Sequence, residues 1–357
     1  MPAEVAAECV RLLAKRKETE AKLKQLTTMP KVYAGKFVQP EAMHRLHRGD
    51  PMQEREVITP GALSKFGARL DLADDTPEQL RRLALAKWIS DPANPLTARV
   101  MVNRLWHYHF GQGLVTTPSD FGRNGARPSH PELLDWLASE FVARGWSLRA
   151  VHRLILLSAT YRQTSAPDAK ALSADASTRL LWRFPPRRLE AEAIRDAMLA
   201  VSGKLDLKMG GPGFDLFEPN SNYVKVYNSK QEFGPAEWRR MVYQNKPRMQ
   251  LDDTFGAFDC PDAGQIAPKR NRSVTALQAL NLLNSKFVMQ QAGFLAERLE
   301  REAGTSRSTQ VRLAFRLTFG RAATTAETEA ATKLIAQEGL PMFCRALFNA
   351  NEFVFVF

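Results

Sequence analysis

Residues 129–155 read SHPELLDWLASEFVARGWSLRAVHRLI. Ser129-His130-Pro131-Glu132 has the form of a capping box with proline at the first helical position, where the missing N–H costs nothing. Leu133, Leu134, Leu137 and Phe141 recur at the three- and four-residue spacing that lines one helix face, and Gly145 offers the left-handed stop. Ser147 then caps a second helix carrying Leu148, Val151, Leu154 and Ile155. Two short helices joined by a tight turn cannot bury their apolar faces alone, so the stretch calls for helical neighbours.

The neighbours are legible on both sides. Upstream, Thr76-Pro77-Glu78-Gln79 opens a helix with Leu80, Leu83, Ala84 and Trp88 on one face, and Asp91-Pro92-Ala93-Asn94-Pro95 ends it. Thr97 caps the next, with Val100, Met101, Leu105 and Tyr108 toward the core and Gly111 at its end. Four helices in about eighty residues predict a bundle. Downstream, Arg188–Val201 is a further helix stopped by Gly203. The period then changes: Gly210-Gly211-Pro212-Gly213 is a turn and Tyr223-Val224-Lys225-Val226-Tyr227 alternates like a strand, which predicts a small β-hairpin or irregular insert around 205–265. Helices resume over Val274–Leu283, Phe287–Leu299, Gln310–Thr318, Ala326–Gln337 (capped by Thr324 with Glu327 three residues on) and Met342–Asn349. The apolar tail Phe353-Val354-Phe355-Val356-Phe357 is expected to dock. The fold class is therefore mostly α and bundle-like.

The first 74 residues read differently. Residues 3–26 make a polar amphipathic helix, and from Met29 to about Gly67 the prolines 30, 40, 51 and 60 mark an extended connector. Segments 1–74 and 75–357 are the expected divisions, the first a junction to a missing upstream region.

Composition narrows function mainly by exclusion. The chain has 357 residues, 44% hydrophobic and 25% charged, which excludes wholesale disorder and coiled-coil rods. No apolar run reaches the roughly 18–20 residues of a membrane helix, and Met1-Pro2-Ala3-Glu4 begins acidic, without the basic and apolar regions of a secretory signal, so no export signal is expected in the chain as given. Fifty basic against 38 acidic residues give a net charge of +12, and 33 of the 50 are arginines, whose planar forks suit carboxylate, sulfate or phosphate. They occur as scattered pairs such as Arg187-Arg188 rather than as a stripe with interleaved aromatics, which argues against a nucleic-acid groove. Cys9, Cys260 and Cys344 form no metal or haem-attachment spacing, so no metal site and no cofactor are expected in this chain.

Three groups of residues stand out. His107 and His109, two apart on a helix, diverge by about 200° and cannot share a metal unless the helix unwinds; their simpler role is to bond its last carbonyls. Asp120, Arg123 and Asn124 lie in a loop with the composition of turn chemistry or of a polar ligand surface. Arg270, Asn271 and Arg272 precede a helix expected from about Val274, where free N–H groups favour an anion. Convergence of His109, Asp120, Arg123, Asn124, Arg270, Asn271 and Arg272 into one anion pocket is the expectation; pairing of the arginines with Asp120 or Asp259 is the structural alternative. No catalytic residue can be singled out.

Asn103-Arg104-Leu105-Trp106-His107-Tyr108-His109-Phe110-Gly111-Gln112-Gly113-Leu114, Thr117-Pro118-Ser119-Asp120-Phe121-Gly122, His130-Pro131-Glu132-Leu133-Leu134-Asp135-Trp136-Leu137, Arg187-Arg188-Leu189-Glu190-Ala191-Glu192, Arg270-Asn271-Arg272-Ser273 and Leu317-Thr318-Phe319-Gly320-Arg321 follow one another in an order that resembles the planctomycete-specific domain one, the domain of unknown function numbered fifteen-fifty-three. The resemblance runs from about residue 75 to the end. It implies the C-terminal domain of an extracytoplasmic, cytochrome-c-linked multidomain protein: an accessory or scaffold role, serving polysaccharide breakdown or surface redox chemistry. Haem c would be carried only by an upstream cytochrome-type domain, the implied partner. An enzyme acting on an anionic, sulfated or acidic carbohydrate is the alternative, and a basic nucleic-acid-binding protein a second one.

Overall fold

The computed structural model describes residues 2–27, 34–63, 65–66, 70, 72–218, 226–248, 250–252, 254–261 and 263–357. They divide into two compact units, one up to Asn94 and the other Pro95–Phe357.

In the first unit, α1 (Ala3–Thr27) is a solvated helix laced by Arg16–Glu20 and Lys22–Glu18 pairs one turn apart. The stretch expected to be a plain connector contains an antiparallel hairpin, β1 (Met43–Leu46) with β2 (Glu54–Ile58), in the register Met43↔Ile58 and Leu46↔Glu54. Arg48-Gly49-Asp50 is its turn, where Asp50 accepts the Met52 N–H at 3.0 Å. The unit ends with α2 (Glu78–Ser90). Pro77 rather than Thr76 stands at its N-cap, and Leu80 and Leu83, expected to face inward, are exposed.

The second unit has two apolar cores. α3 (Pro95–Phe110), α4 (Pro131–Ala143) and α5 (Leu148–Leu157) enclose the first, with Val102, Trp106, Phe110, Leu137, Phe141 and Val151 at its centre. Ser147 accepts the Ala150 N–H as expected for a cap. The inner face of α3 is shifted from expectation: Ala98, Val102, Leu105, Trp106 and Phe110 are buried, while Tyr108 is half exposed. Asn103 accounts for the shift. It is fully buried, its Oδ1 accepting the Val115 N–H at 2.8 Å and its Nδ2 donating to the Val115 carbonyl at 3.0 Å, so this face must turn inward to hold the loop beyond the helix.

Two short helices, α6 (Ala159–Arg162) and α7 (Ala169–Ala174), lead to β3 (Arg187–Arg188). Around the second core stand α8 (Ala191–Ser202), α9 (Ala276–Asn284), α10 (Lys286–Ala303), α11 (Arg307–Phe319), α12 (Thr325–Glu338) and α13 (Leu340–Phe348). The Thr324/Glu327 capping box and the left-handed Gly203 form as expected. After α14 (Asn351–Val354) comes β4 (Phe355–Val356), which pairs antiparallel with β3: Arg187↔Val356 and Arg188↔Phe355. The tail is thus docked, with Phe355 against the second core and Val356 against the first. Pairing holds Arg187 and Arg188 extended, so α8 begins three residues later than its periodicity suggests.

The insert around 205–265 is irregular, made of isolated bridges and single 3-10 turns. Of the expected strand, Tyr223, Val224 and Lys225 lie outside the described residues; Val226 and Tyr227 carry no ladder. Two buried guanidiniums organise it. Arg195 of α8, 0% exposed, donates to the carbonyls of Glu237 and Arg239 and stacks on Phe214 and Phe287. Arg239 in turn donates to the carbonyls of Lys208, Gly210 and Pro212. A chain segment without ladders needs donors for its buried carbonyls, and these forks supply them.

Candidate functional site: an arginine cluster at the end of α3

The site grows from the last turn of α3. The helix closes with Gly111 N–H donating to the His107 carbonyl at 2.7 Å, and Gly111 takes φ +83°, the left-handed value that suits glycine. Arg272 Nη1 reaches back to the Gly111 carbonyl at 3.3 Å. A Cβ on Gly111 would overlap Arg272 Nη1 and lie 3.3 Å from Arg187 Cδ, so both guanidinium side chains crowd this one residue. Arg188, 5% exposed, joins from the same strand: its Nη2 bonds Asp259 at 2.5 Å, and its guanidinium lies over the Phe258 ring. Asp259 is otherwise spent on Ser273, accepting its N–H and Oγ–H at 2.8 and 2.9 Å.

What distinguishes the cluster is how much of it is unpaired. Arg187 Nε, Arg188 Nε and Nη1, Arg272 Nε and Nη2, and His107 Nε2 are buried with no hydrogen-bond partner among the described residues. Burial lowers the pKa of Arg272, and Arg187 and Arg188 push it further down while Glu190 opposes them. Burial, followed by the charges of Arg272, Lys269, Arg187 and Arg104, brings His107 down to about 4, so at neutral pH it is an uncharged imidazole.

A second group lies beside it. Glu192 accepts from Arg270 Nη2 at 2.8 Å and from Lys246 Nζ at 2.9 Å, and Lys246 Nζ is 3.0 Å from Cys260 Sγ. Burial opposes the carboxylate, but the bonds from Arg270 and Lys246 outweigh it and hold Glu192 at about 2. Glu190, Glu192, Asp196, Arg240, Lys246 and Arg270 line an open cleft of about 550 Å³.

The residues picked from the sequence are distributed as follows. Arg272 reaches the end of α3, while Arg270 turns to Glu192 and Asn271 is exposed. His109 is bonded to His152, Nε2 to Nδ1 at 2.8 Å. Asp120 serves its own turn, accepting the Gly122 N–H at 2.8 Å, and Arg123 and Asn124 are exposed. Among the described residues no hydrogen bond or ion pair joins the 119–125 loop to 270–273. The helix after Arg272 starts at Ala276, not Val274, because Thr275 and Gln278 form a complete capping box. The box takes up the Thr275 and Gln278 N–H groups, and the cationic character here comes from side chains. Arg187 and Arg188 escaped the sequence reading as site residues, and His107, weighed only with His109, was not placed in the pocket; a doubled arginine between two apolar stretches, Leu180-Leu181-Trp182 and Leu189, was the available signal. No group of three or more His, Cys, Asp or Glu among the described residues is placed to hold a metal.

Fold and site together define a mostly helical chain with a buried, cation-rich cluster. Residues 81–335 match the family described as "PSD1: Protein of unknown function (DUF1553)", and the chain belongs to that family. The label attached to the resemblance is corrected accordingly: the number fifteen-fifty-three agrees, but the matching description carries neither the planctomycete name nor the place at the end of cytochrome-c-type proteins, and the match ends at 335. Comparison with curated proteins and with solved structures gave no match. Among the described residues no helix is long and apolar enough to cross a membrane.

Proposed function

We propose that the Pro95–Phe357 unit is an accessory binding module that holds an anionic group, of the sulfate or carboxylate kind found on acidic carbohydrates, between Arg187, Arg188, Arg272 and His107. One observation carries the reading: buried, unpartnered nitrogens on Arg187 and Arg272, which crowd Gly111, and on the neighbouring Arg188 and His107. Buried charges are tolerable when paired and hydrogen-bonded. Here only Arg188 has a bonded carboxylate, Asp259, which Ser273 already occupies, while Arg187 and Arg272 feel Glu190 only at a distance. A tetrahedral or planar oxyanion supplies the missing acceptors, and the guanidinium forks match its geometry. Glu192 is neutralised by two cations, which argues for a binding rather than a hydrolytic role for this carboxylate. An extracytoplasmic setting fits the reading, since sulfated and uronic-acid polymers are cell-surface materials.

The test is thermal unfolding at constant ionic strength with chloride replaced by sulfate, then with a sulfated against an uncharged oligosaccharide. Ligand at about one hundred times its dissociation constant stabilises by about 2.7 kcal/mol, a readable rise in melting temperature. The rise should disappear in Arg188→Met and Arg272→Met. No difference between sulfate and chloride in the intact protein would overturn the proposal.

A further inference from the structure

Cys260 is 7% exposed, a free thiol, and its Sγ lies 3.0 Å from Lys246 Nζ. Glu192 Oε1 touches both, at 2.9 Å from the ammonium and 3.7 Å from the sulfur. The pair is oriented, not incidental: the carboxylate that holds Lys246 is itself fixed by Arg270, and Cys260 follows directly on Asp259, which is tied to Arg188 and Ser273. Lys246 lines the open cleft of about 550 Å³, so a small oxidant has a path to the nitrogen although the sulfur is buried.

We propose that Lys246 and Cys260 are a site of oxidative cross-linking, in which molecular oxygen joins them through a single bridging oxygen, Nζ–O–Sγ. The S–H bond and one N–H bond break, and S–O and O–N bonds form. One oxygen atom stays in the bridge and the other leaves as water with the two released hydrogens. Sulfur and nitrogen each give up two electrons, and the four electrons reduce the oxygen molecule. The ammonium must shed a proton to water in the cleft before nitrogen can react, while Glu192 holds the nitrogen against the sulfur. The thiol lies within bonding reach of the amine, so trapping by nitrogen competes with the further oxidation that a solvated thiol undergoes. The bridge would pin the irregular insert at two points fourteen residues apart, close to the carboxylate that orients Arg188.

The experiment is peptide mapping of the full chain after aerobic incubation and after reduction. The expected species joins the peptides bearing Lys246 and Cys260, heavier by one oxygen and lighter by two hydrogens, and reverts under a thiol reductant. Cys260→Ser and Lys246→Arg should each abolish it. The bridged protein should melt higher by about 3 °C, the scale expected for closing a short loop in a chain of this size. Exposed Cys9 serves as the control for general oxidation. Cys260 recovered as sulfinic acid with Lys246 unmodified, or Cys260 unchanged while Cys9 oxidises, would refute the site. Because this chemistry needs no bound anion, its failure would leave the arginine cluster untouched.

Discussion

Gly111 shows how one residue can govern a site without contributing a functional group. Its left-handed backbone and the missing Cβ leave the space into which Arg272 and Arg187 fit. Gly111→Ala should cost about 1–2 kcal/mol from the conformation alone, and denaturant titration should show it. The same variant should lose the sulfate-induced rise in melting temperature, because the guanidinium must move. His107 makes a separate prediction. Its imidazole faces Arg104 on its own helix and Arg187, Lys269 and Arg272 from elsewhere, and its folded pKa of about 4 lies below the unfolded 6.5. The unfolded chain therefore binds the extra proton between those values, so this contribution to stability is complete above pH 6.5 and lost as pH falls toward 4. An anion beside the ring would oppose the loss. Sulfate should stabilise the protein more at pH 5 than at pH 7, and the difference should vanish in His107→Gln.

At the scale of elements, the parts written in local chemistry were readable. Ser147, Thr324 with Glu327, Gly203 and Gly111 stand where their hydrogen-bonding or backbone preferences put them. Element starts slipped where a distant partner intervened: α8 lost its first turn to the β3–β4 pairing, and the inner face of α3 rotated to satisfy Val115 through Asn103. The insert was opaque because what orders it is not periodic. Its carbonyls are gathered by Arg195 and Arg239, and nothing in the neighbourhood of either residue announces that. Arg195→Met should leave two buried carbonyls without donors and destabilise the protein by about 2–4 kcal/mol, read from the midpoint of a denaturant titration. A loss below 0.5 kcal/mol, the range of ordinary surface changes, would mean that the insert is not held this way.

For the molecule as a whole, the helical class was legible from the caps and apolar spacing, whereas the site was legible only as a list of residue types. Of the seven residues singled out, His109 stands in the last turn of α3 and only Arg272 is bonded to that helix end from a distant segment, since assembly depends on contacts such as Arg272 with Gly111 that no local pattern encodes. Acid tolerance is also a global property with a local origin. Glu192, at about 2 in the folded state against an ordinary value of 4.5, stabilises by roughly 2–3 kcal/mol at neutral pH. That stabilisation is complete above pH 4.5 and lost as pH falls toward 2. Glu192→Gln should lower the melting temperature at pH 7 and flatten its dependence on pH in the acid range.

The short ladder between β3 and β4 also sets an order of events in time. Arg188 and Phe355 are neighbours in space but nearly half the chain apart in sequence. Closing so long a loop is entropically slow, and it becomes favourable only after the two helical cores that flank the ladder have condensed. During synthesis, Arg187 and Arg188 leave the ribosome long before the strand that will hold them exists. The arginine cluster is therefore a late product of folding, and sulfate should accelerate no early phase of refolding. Its protective effect should arrive with the last one, when the chain finds its own tail.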